Sequence, residues 1–315
     1  MDYIPRRCDI ATRRYIPSTD PRLNRHVWHD PHSRAYTPDL TGLALKAFAW
    51  QGPVNALDQG QVGACTSGAS ATCLLTGPFR VPAVSDPYGA RWGSLGTTPA
   101  MYAMYSAEET YDGDGPYPPN DSGSTGLTAG HVLRDAGVIS GWTQTFTLED
   151  ALTAGTQQPW ITGTDWLNSQ FQVDPRTGLV TVDRKSGLAG GHEYTGVGYD
   201  PVRGWVWYRQ DWGDAYGVDG SLVPVPDGQE PLIGNGYFAM QAEDYGWLLG
   251  QQGDTTFFTL PTAPAPQPTP VPVDSAAQAL ADTLVHDGWY RQHHIGGNGR
   301  VARAAGPWLQ EIGRT

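Results

Sequence analysis

Between Cys65 and Leu75 small and apolar residues run without a charge, and Gly77-Pro78 follows, which predicts an apolar helix that stops there. Pro99-Ala-Met-Tyr-Ala-Met-Tyr-Ser-Ala-Glu-Glu109 predicts a second helix, and Leu127-Thr-Ala-Gly-His-Val-Leu-Arg-Asp-Ala136 a third, ended by Gly137. Strand-like runs occur at Gln158-Pro-Trp-Ile-Thr162 and Gly178-Leu-Val-Thr-Val182. Another alternates from His192 to Asp200 after a Gly-Gly turn, and one more lies at Gly236–Met240. The pattern fails in two places. Residues 1–46 are broken by Pro5, Pro17, Pro21 and Pro31 with little periodicity, and Pro261 to Val273 alternates proline with small residues, which favours polyproline II. Beyond that linker, Asp274 or Ser275 can cap a helix through Ala276, Leu280 and Leu284; Val301–Ile312 reads as a second, interrupted by Pro307.

The predicted organisation is therefore an extended basic arm (1–46) that either wraps the body or docks on a protein partner or larger assembly, a body (47–260), a proline-rich linker (261–273) and a small helical module (274–315). Charge divides the chain the same way. The arm carries eight Lys/Arg against five Asp/Glu, the body and linker eight against twenty-three, and the module four against four. The net charge of -12 disfavours a nucleic-acid partner. No apolar run is long enough to span a membrane, and the N-terminus lacks the apolar core of a secretory signal. The expectation is a soluble protein, cytoplasmic or virion-associated. The module is too small to bury much surface, so Trp289, Tyr290, Trp308 and Leu309 are expected to dock it on a protein partner, a second copy or a larger assembly.

Three cysteines, Cys8, Cys65 and Cys73, make no disulfide framework. Neither CxxC nor HExxH spacing occurs, so no metal and no cofactor is expected. What remains is a reactive thiol. Gly60 and Gly63 permit a tight loop that places Cys65 at a helix N-terminus, where the dipole and free N–H groups favour the thiolate. Gln59 can fold its amide back over that loop as one oxyanion donor, with the Cys65 N–H as the other.

Three blocks in order resemble the papain-like cysteine peptidases. Gln59-Gly-Gln-Val-Gly-Ala-Cys65 is similar to that family's glutamine-to-nucleophile loop, and Gly190-Gly191-His192-Glu-Tyr-Thr-Gly-Val-Gly198 to the strand that delivers its histidine. Tyr208-Arg-Gln210-Asp211-Trp212-Gly213 resembles its Asn-Ser-Trp-Gly segment, and the likeness covers roughly residues 45–250. The resemblance implies a two-lobed α+β fold, a helical lobe with Cys65 facing an antiparallel sheet or partial barrel with His192 and Gln210. It implies a cysteine endopeptidase: His192 takes the Cys65 proton, Gln59 steadies the oxyanion, and a third residue orients the imidazole.

That third position holds Gln210 in place of asparagine, with Asp211 as the next choice; Asp211 would add a charge and raise the imidazole pKa. Trp212 would cover the bond from water. Gly123 and Ser124, in the glycine-rich loop after Asp112-Gly-Asp-Gly115, are expected to border the substrate cleft with Gly191 and Trp212. An insertion, Val218–Asn235, is expected at its rim. With only 64 residues before the nucleophile, the arm either belongs to the mature protein or inhibits by a geometry unlike the family's long prosegment. The alternative function is an attachment protein that keeps the scaffold with weak or no proteolysis.

Overall fold

The computed structural model describes residues 14–18, 20–29, 34–79, 92 and 94–261. Cys8 and the predicted helical module, with nearly all of the linker, lie outside the described residues. Seven strands form one antiparallel sheet: β1 (Phe48–Ala49), β2 (Gly141–Thr145), β3 (Trp160–Leu167), β4 (Leu188–Asp200), β5 (Trp205–Arg209), β6 (Tyr237–Gln241) and β7 (Asp254–Thr259). Their order is β2-β7-β3-β4-β5-β6, with β1 joined to the far end of β4 at Gly198 and Tyr199. Among the described residues five α-helices accompany it: α1 (Cys65–Leu75), α2 (Thr98–Asp112), α3 (Gly126–Asp135), α4 (Leu148–Gly155) and α5 (Ala242–Gly250).

Successive strand residues face opposite sides of a sheet, and both sides here are covered. Trp160 and Phe257 face a core with Leu152 of α4, Leu248 of α5, Tyr194 and Tyr208. Their neighbours Ile161 and Phe258 face a second core with Cys73 and Leu74 of α1, Met104 of α2 and Leu133 of α3. The first three helices thus make one lobe, and the sheet with α4 and α5 makes the other. Among the described residues no helix is long and apolar enough to cross a membrane.

The helix starts separate structural from chemical ends. Thr97, Thr125 and Thr147 cap α2, α3 and α4 by accepting from the backbone N–H groups of Ala100, Thr128 and Asp150. Ahead of α1 stands Ala64, which cannot cap, so the N–H groups around Cys65 keep their capacity for another acceptor.

Two expectations differ from the structure. Gly178–Val182 forms no strand: a turn from Asp174 to Gly178 lets it meet the β6 edge only near Ala239. The insertion after Gly217 folds inward, packing Val223 and Leu232 against Trp207 and Val197 in a third small core, on the sheet face opposite Tyr208.

Candidate active site

The loop before α1 is stitched to the segment after β5. Gln59 N–H donates to the Asp211 carbonyl at 2.9 Å and Gly213 N–H to the Leu57 carbonyl at 2.8 Å. This fixes the Gln59 side chain. Trp212 Nε1 donates to its Oε1 at 3.0 Å, so the amide nitrogen must point the other way. Gln59 Nε2 there donates to the carbonyls of Val62 at 2.5 Å and Arg22 at 3.2 Å.

His192, on β4, is fully buried. Its Nε2 lies 2.7 Å from Gln210 Oε1, which also accepts from the Asp211 N–H at 3.1 Å. Asp211 is second in distance, with Oδ1 3.5 Å from the same nitrogen. An amide oxygen only accepts, so Nε2 carries the proton and Nδ1 of the neutral ring is the free base. Nδ1 makes no hydrogen bond in this state, to Cys65 or to any other described residue. Trp166 and Trp212 pack on the ring at centroid distances of 5.1 and 4.7 Å and keep water from the Gln210 contact.

Burial governs the titration of these groups. It pushes the imidazole down to about 3, against a weaker upward pull from Gln210. It pushes the Cys65 thiol well above 9.0, with Asp211 adding to the rise while the N–H groups of Glu193 and Asn24 that face the sulfur pull it back. Burial also holds the Asp211 carboxyl well above its usual range. Thiol and imidazole are both neutral here, and no ion pair exists between them.

The cover over both groups is the arm. Arg14 and Val27 exchange backbone hydrogen bonds of 2.9 and 3.0 Å, closing a loop whose inner residues lie between the lobes. Arg25 N–H donates to the Gly191 carbonyl at 3.0 Å, Ser124 N–H to the Asn24 carbonyl at 3.2 Å, and His26 N–H to the Ser124 carbonyl at 2.8 Å. Glycine is what permits this approach: a Cβ on Gly123, itself at φ +85°, would stand 1.9 Å from the Asn24 carbonyl oxygen, and one on Gly191 2.1 Å from that of Arg25. The Arg22 guanidinium lies over Trp212 at 4.3 Å. All four residues expected to line the cleft therefore touch the arm.

The loop bearing Gly123 is held from α2. Glu109 Oε1 accepts from Tyr105 Oη, Ser122 N–H and Gly123 N–H at 2.6 to 2.8 Å. Asp112, in the Asp-Gly run, accepts from Ser124 Oγ at 2.9 Å and Thr128 Oγ1 at 2.7 Å. Burial raises the Glu109 carboxyl to about 7 against hydrogen bonds that lower it. The folded protein thus keeps a proton that the unfolded chain releases near 4.5, so its stability falls as pH rises from 4.5 through 7. Glu109→Gln keeps the accepting oxygen and removes the titration. Thermal melts should show the variant gaining on wild type between pH 5 and pH 8, by up to about 2 kcal/mol; a pH-independent difference would contradict this.

A helical lobe opening on Cys65 thus faces an antiparallel sheet that carries His192 and leads into Gln210 and Trp212, in the predicted order. This is the two-lobed α+β arrangement that the resemblance implies. No family model matches the sequence, and no curated protein matches it. Solved structures similar to the chain include xylellain, a cysteine protease from Xylella fastidiosa, at TM-score 0.49 and 18% identity over 78% of this chain and 95% of that one. They also include procathepsin B S9 from Trypanosoma congolense, at TM-score 0.39 and 14% identity over 77% and 88%. A third is the bromelain protease from Ananas comosus in complex with the E64 inhibitor, at TM-score 0.34 and 14% identity over 69% and 95%.

Three site residues escaped the sequence reading: Arg25 of the arm, Glu193 and Asp254. A signal existed for Glu193, an acid inside an alternating strand that must bury one face; Asp254 had none, because β7 was not predicted.

Proposed function

We propose that the chain is a papain-like cysteine peptidase held latent by its own arm. One observation carries this reading: an extended peptide, the arm, lies against the residues that would hold a scissile bond. The Arg22 carbonyl accepts from Gln59 Nε2, and the Asn24 N–H faces the Cys65 sulfur.

With the arm displaced, water returns to the cleft and the desolvation that keeps both groups neutral is relieved. His192 Nδ1 then takes the Cys65 proton while Gln210 holds the Nε2–H. The thiolate attacks a peptide carbonyl, and the oxyanion is steadied by Gln59 Nε2 and the Cys65 N–H at the uncapped start of α1. The imidazolium gives its proton to the leaving amine, and water hydrolyses the acyl-enzyme.

The test is labelling with a thiol-directed epoxide followed by peptide mapping, before and after removal of the arm. Selective modification of Cys65 after removal, with Cys73 untouched, is expected, and Cys65→Ser should abolish peptide hydrolysis without lowering the melting temperature. Equal labelling of the cysteines, or none at Cys65 in the opened protein, would instead leave a scaffold without proteolysis.

A further inference from the structure

The cleft has an acidic notch beside the thiol. Glu193 on β4 pairs with Gly163 on β3, and Gly163 pairs with Asp254 on β7. Paired residues in an antiparallel sheet point to the same face, so two carboxylates flank a position with no side chain. Gly126, at the start of α3, closes the notch from the other lobe: a Cβ there would lie 2.9 Å from Glu193 Oε1 and 3.1 Å from Asp254 Oδ1.

The guanidinium of Arg25 fills the gap. A Cβ on Gly163 would stand 2.3 Å from Arg25 Nε. Arg25 Nη2 donates to Asp254 Oδ2 and, at 3.1 Å, to the Gln252 carbonyl, while its Nε lies 3.9 Å from Glu193 Oε2. Neither the Arg25 nor the Glu193 side chain has any exposure. The guanidinium facing the two acids is that of Arg25, and the His29 ring stands with its Nε2 3.2 Å from Asp254 Oδ2; both residues belong to the arm. Two acids of the framework, Glu108 and Asp211, also act on Glu193. Without the arm, Asp254 Oδ1 and both oxygens of Glu193, which already lack hydrogen-bond partners, would share the notch with no cation. A buried carboxylate pair in that condition is costly, and a guest that restores the charge and the donors is favoured.

We propose that this notch is the specificity pocket of the peptidase and that it takes an arginine side chain of the substrate. The inference rests on the peptidase reading above and adds the substrate class: peptides with an arginine near the cleaved bond. A flat guanidinium suits a slot between opposed carboxylates, since its donors reach both walls and a backbone carbonyl at once; an ammonium on a flexible stem does not. Its place agrees, because Arg25 directly follows Asn24, whose N–H faces the sulfur.

The full chain with Arg25→Ala empties the notch and loosens the arm; Arg25→Met, closer to the stem in volume, serves if that variant does not fold. Cys65 is then labelled with peptidyl acyloxymethyl ketones carrying arginine, or its neutral isostere citrulline, at each of the three positions nearest the warhead. Iodoacetamide, which has no side chain to place, reports the thiol alone. At one position arginine should outpace citrulline by 100-fold or more, and adding Glu193→Gln and Asp254→Asn should cut that ratio at least tenfold. Alkylation by iodoacetamide with equal rates for both ketones at all three positions overturns the pocket and leaves the peptidase reading standing. A readout without chemistry separates the opposite failure: N-ethylguanidinium should raise the melting temperature of the Arg25 variant saturably, and N-ethylurea should not. Equal effects of the two overturn the pocket even if Cys65 proves inert, while a selective rise with an inert Cys65 sinks the peptidase alone.

Discussion

Removal of residues 1–28 is expected to raise the rate of Cys65 alkylation at pH 7 by roughly two orders of magnitude. In the closed protein the thiol titrates well above 9.0, so under about 1% is thiolate at pH 7, and the sulfur is fully buried. Opening the cleft solvates both partners. A thiol beside an imidazolium and a helix N-terminus has a pKa in the range of roughly 3.5 to 7.5, which makes about a quarter or more of it reactive at pH 7. The pH profile separates the two states. Closed protein should react appreciably only in alkaline solution, and opened protein should approach its plateau by about pH 7. Iodoacetamide rates read by mass spectrometry give both profiles, and superimposable curves would mean that the arm is not what suppresses the thiol.

The second large effect concerns Gln210. In the opened protein Gln210→Ala should lower kcat on the order of 100-fold with little change in KM, because the residue sets the tautomer and tilt of His192 without touching substrate. Its Oε1 is itself pinned by the Asp211 N–H, so the longer stem does not leave the amide loose. Asp211→Asn should do much less, since Asp211 Oδ1 stands 3.5 Å from His192 Nε2 where Gln210 Oε1 stands at 2.7 Å. Comparable losses from the two substitutions would shift the orienting role to Asp211.

Much of this site is visible in the sequence because its parts are local. A glycine loop before an uncapped helix, a Gly-Gly-His turn before an alternating strand and a Trp-Gly pair are each set by a few neighbouring residues. The structure then puts Gln59, Trp212, Gln210 and His192 in one hydrogen-bonded group around the loop that carries Cys65. The arm was illegible for the opposite reason. Leu23, Arg25 and Val27 stand at alternate positions, but an arginine at the centre hides the pattern, and the backbone partners of the stretch from Asn24 to Val27 are Gly191, Ser124 and Arg14, the first two far away in sequence. Its prolines predict an extended segment that wraps the body or docks on a partner without saying where, and the acids that bury Arg25 come from β4 and β7. The insertion after Gly217 was misplaced similarly: length and prolines suggest an exposed loop, whereas Val223 and Leu232 are core residues only because Trp207 leaves a surface to cover.

The paired backbones of Arg14 and Val27 bring the two ends of the cleft-filling segment together outside the cleft. Most of the entropy of forming that loop is lost at its neck, independently of what its tip contacts. The tip is then presented to Cys65 as a tethered ligand, at a local concentration on the order of millimolar. A free peptide at micromolar concentration must bind about a thousand times more tightly than the tip to replace half of it. On the proposed peptidase reading, competition by ordinary substrate would leave the protein silent, and the event that starts turnover would be one that cuts the chain or unpicks the neck.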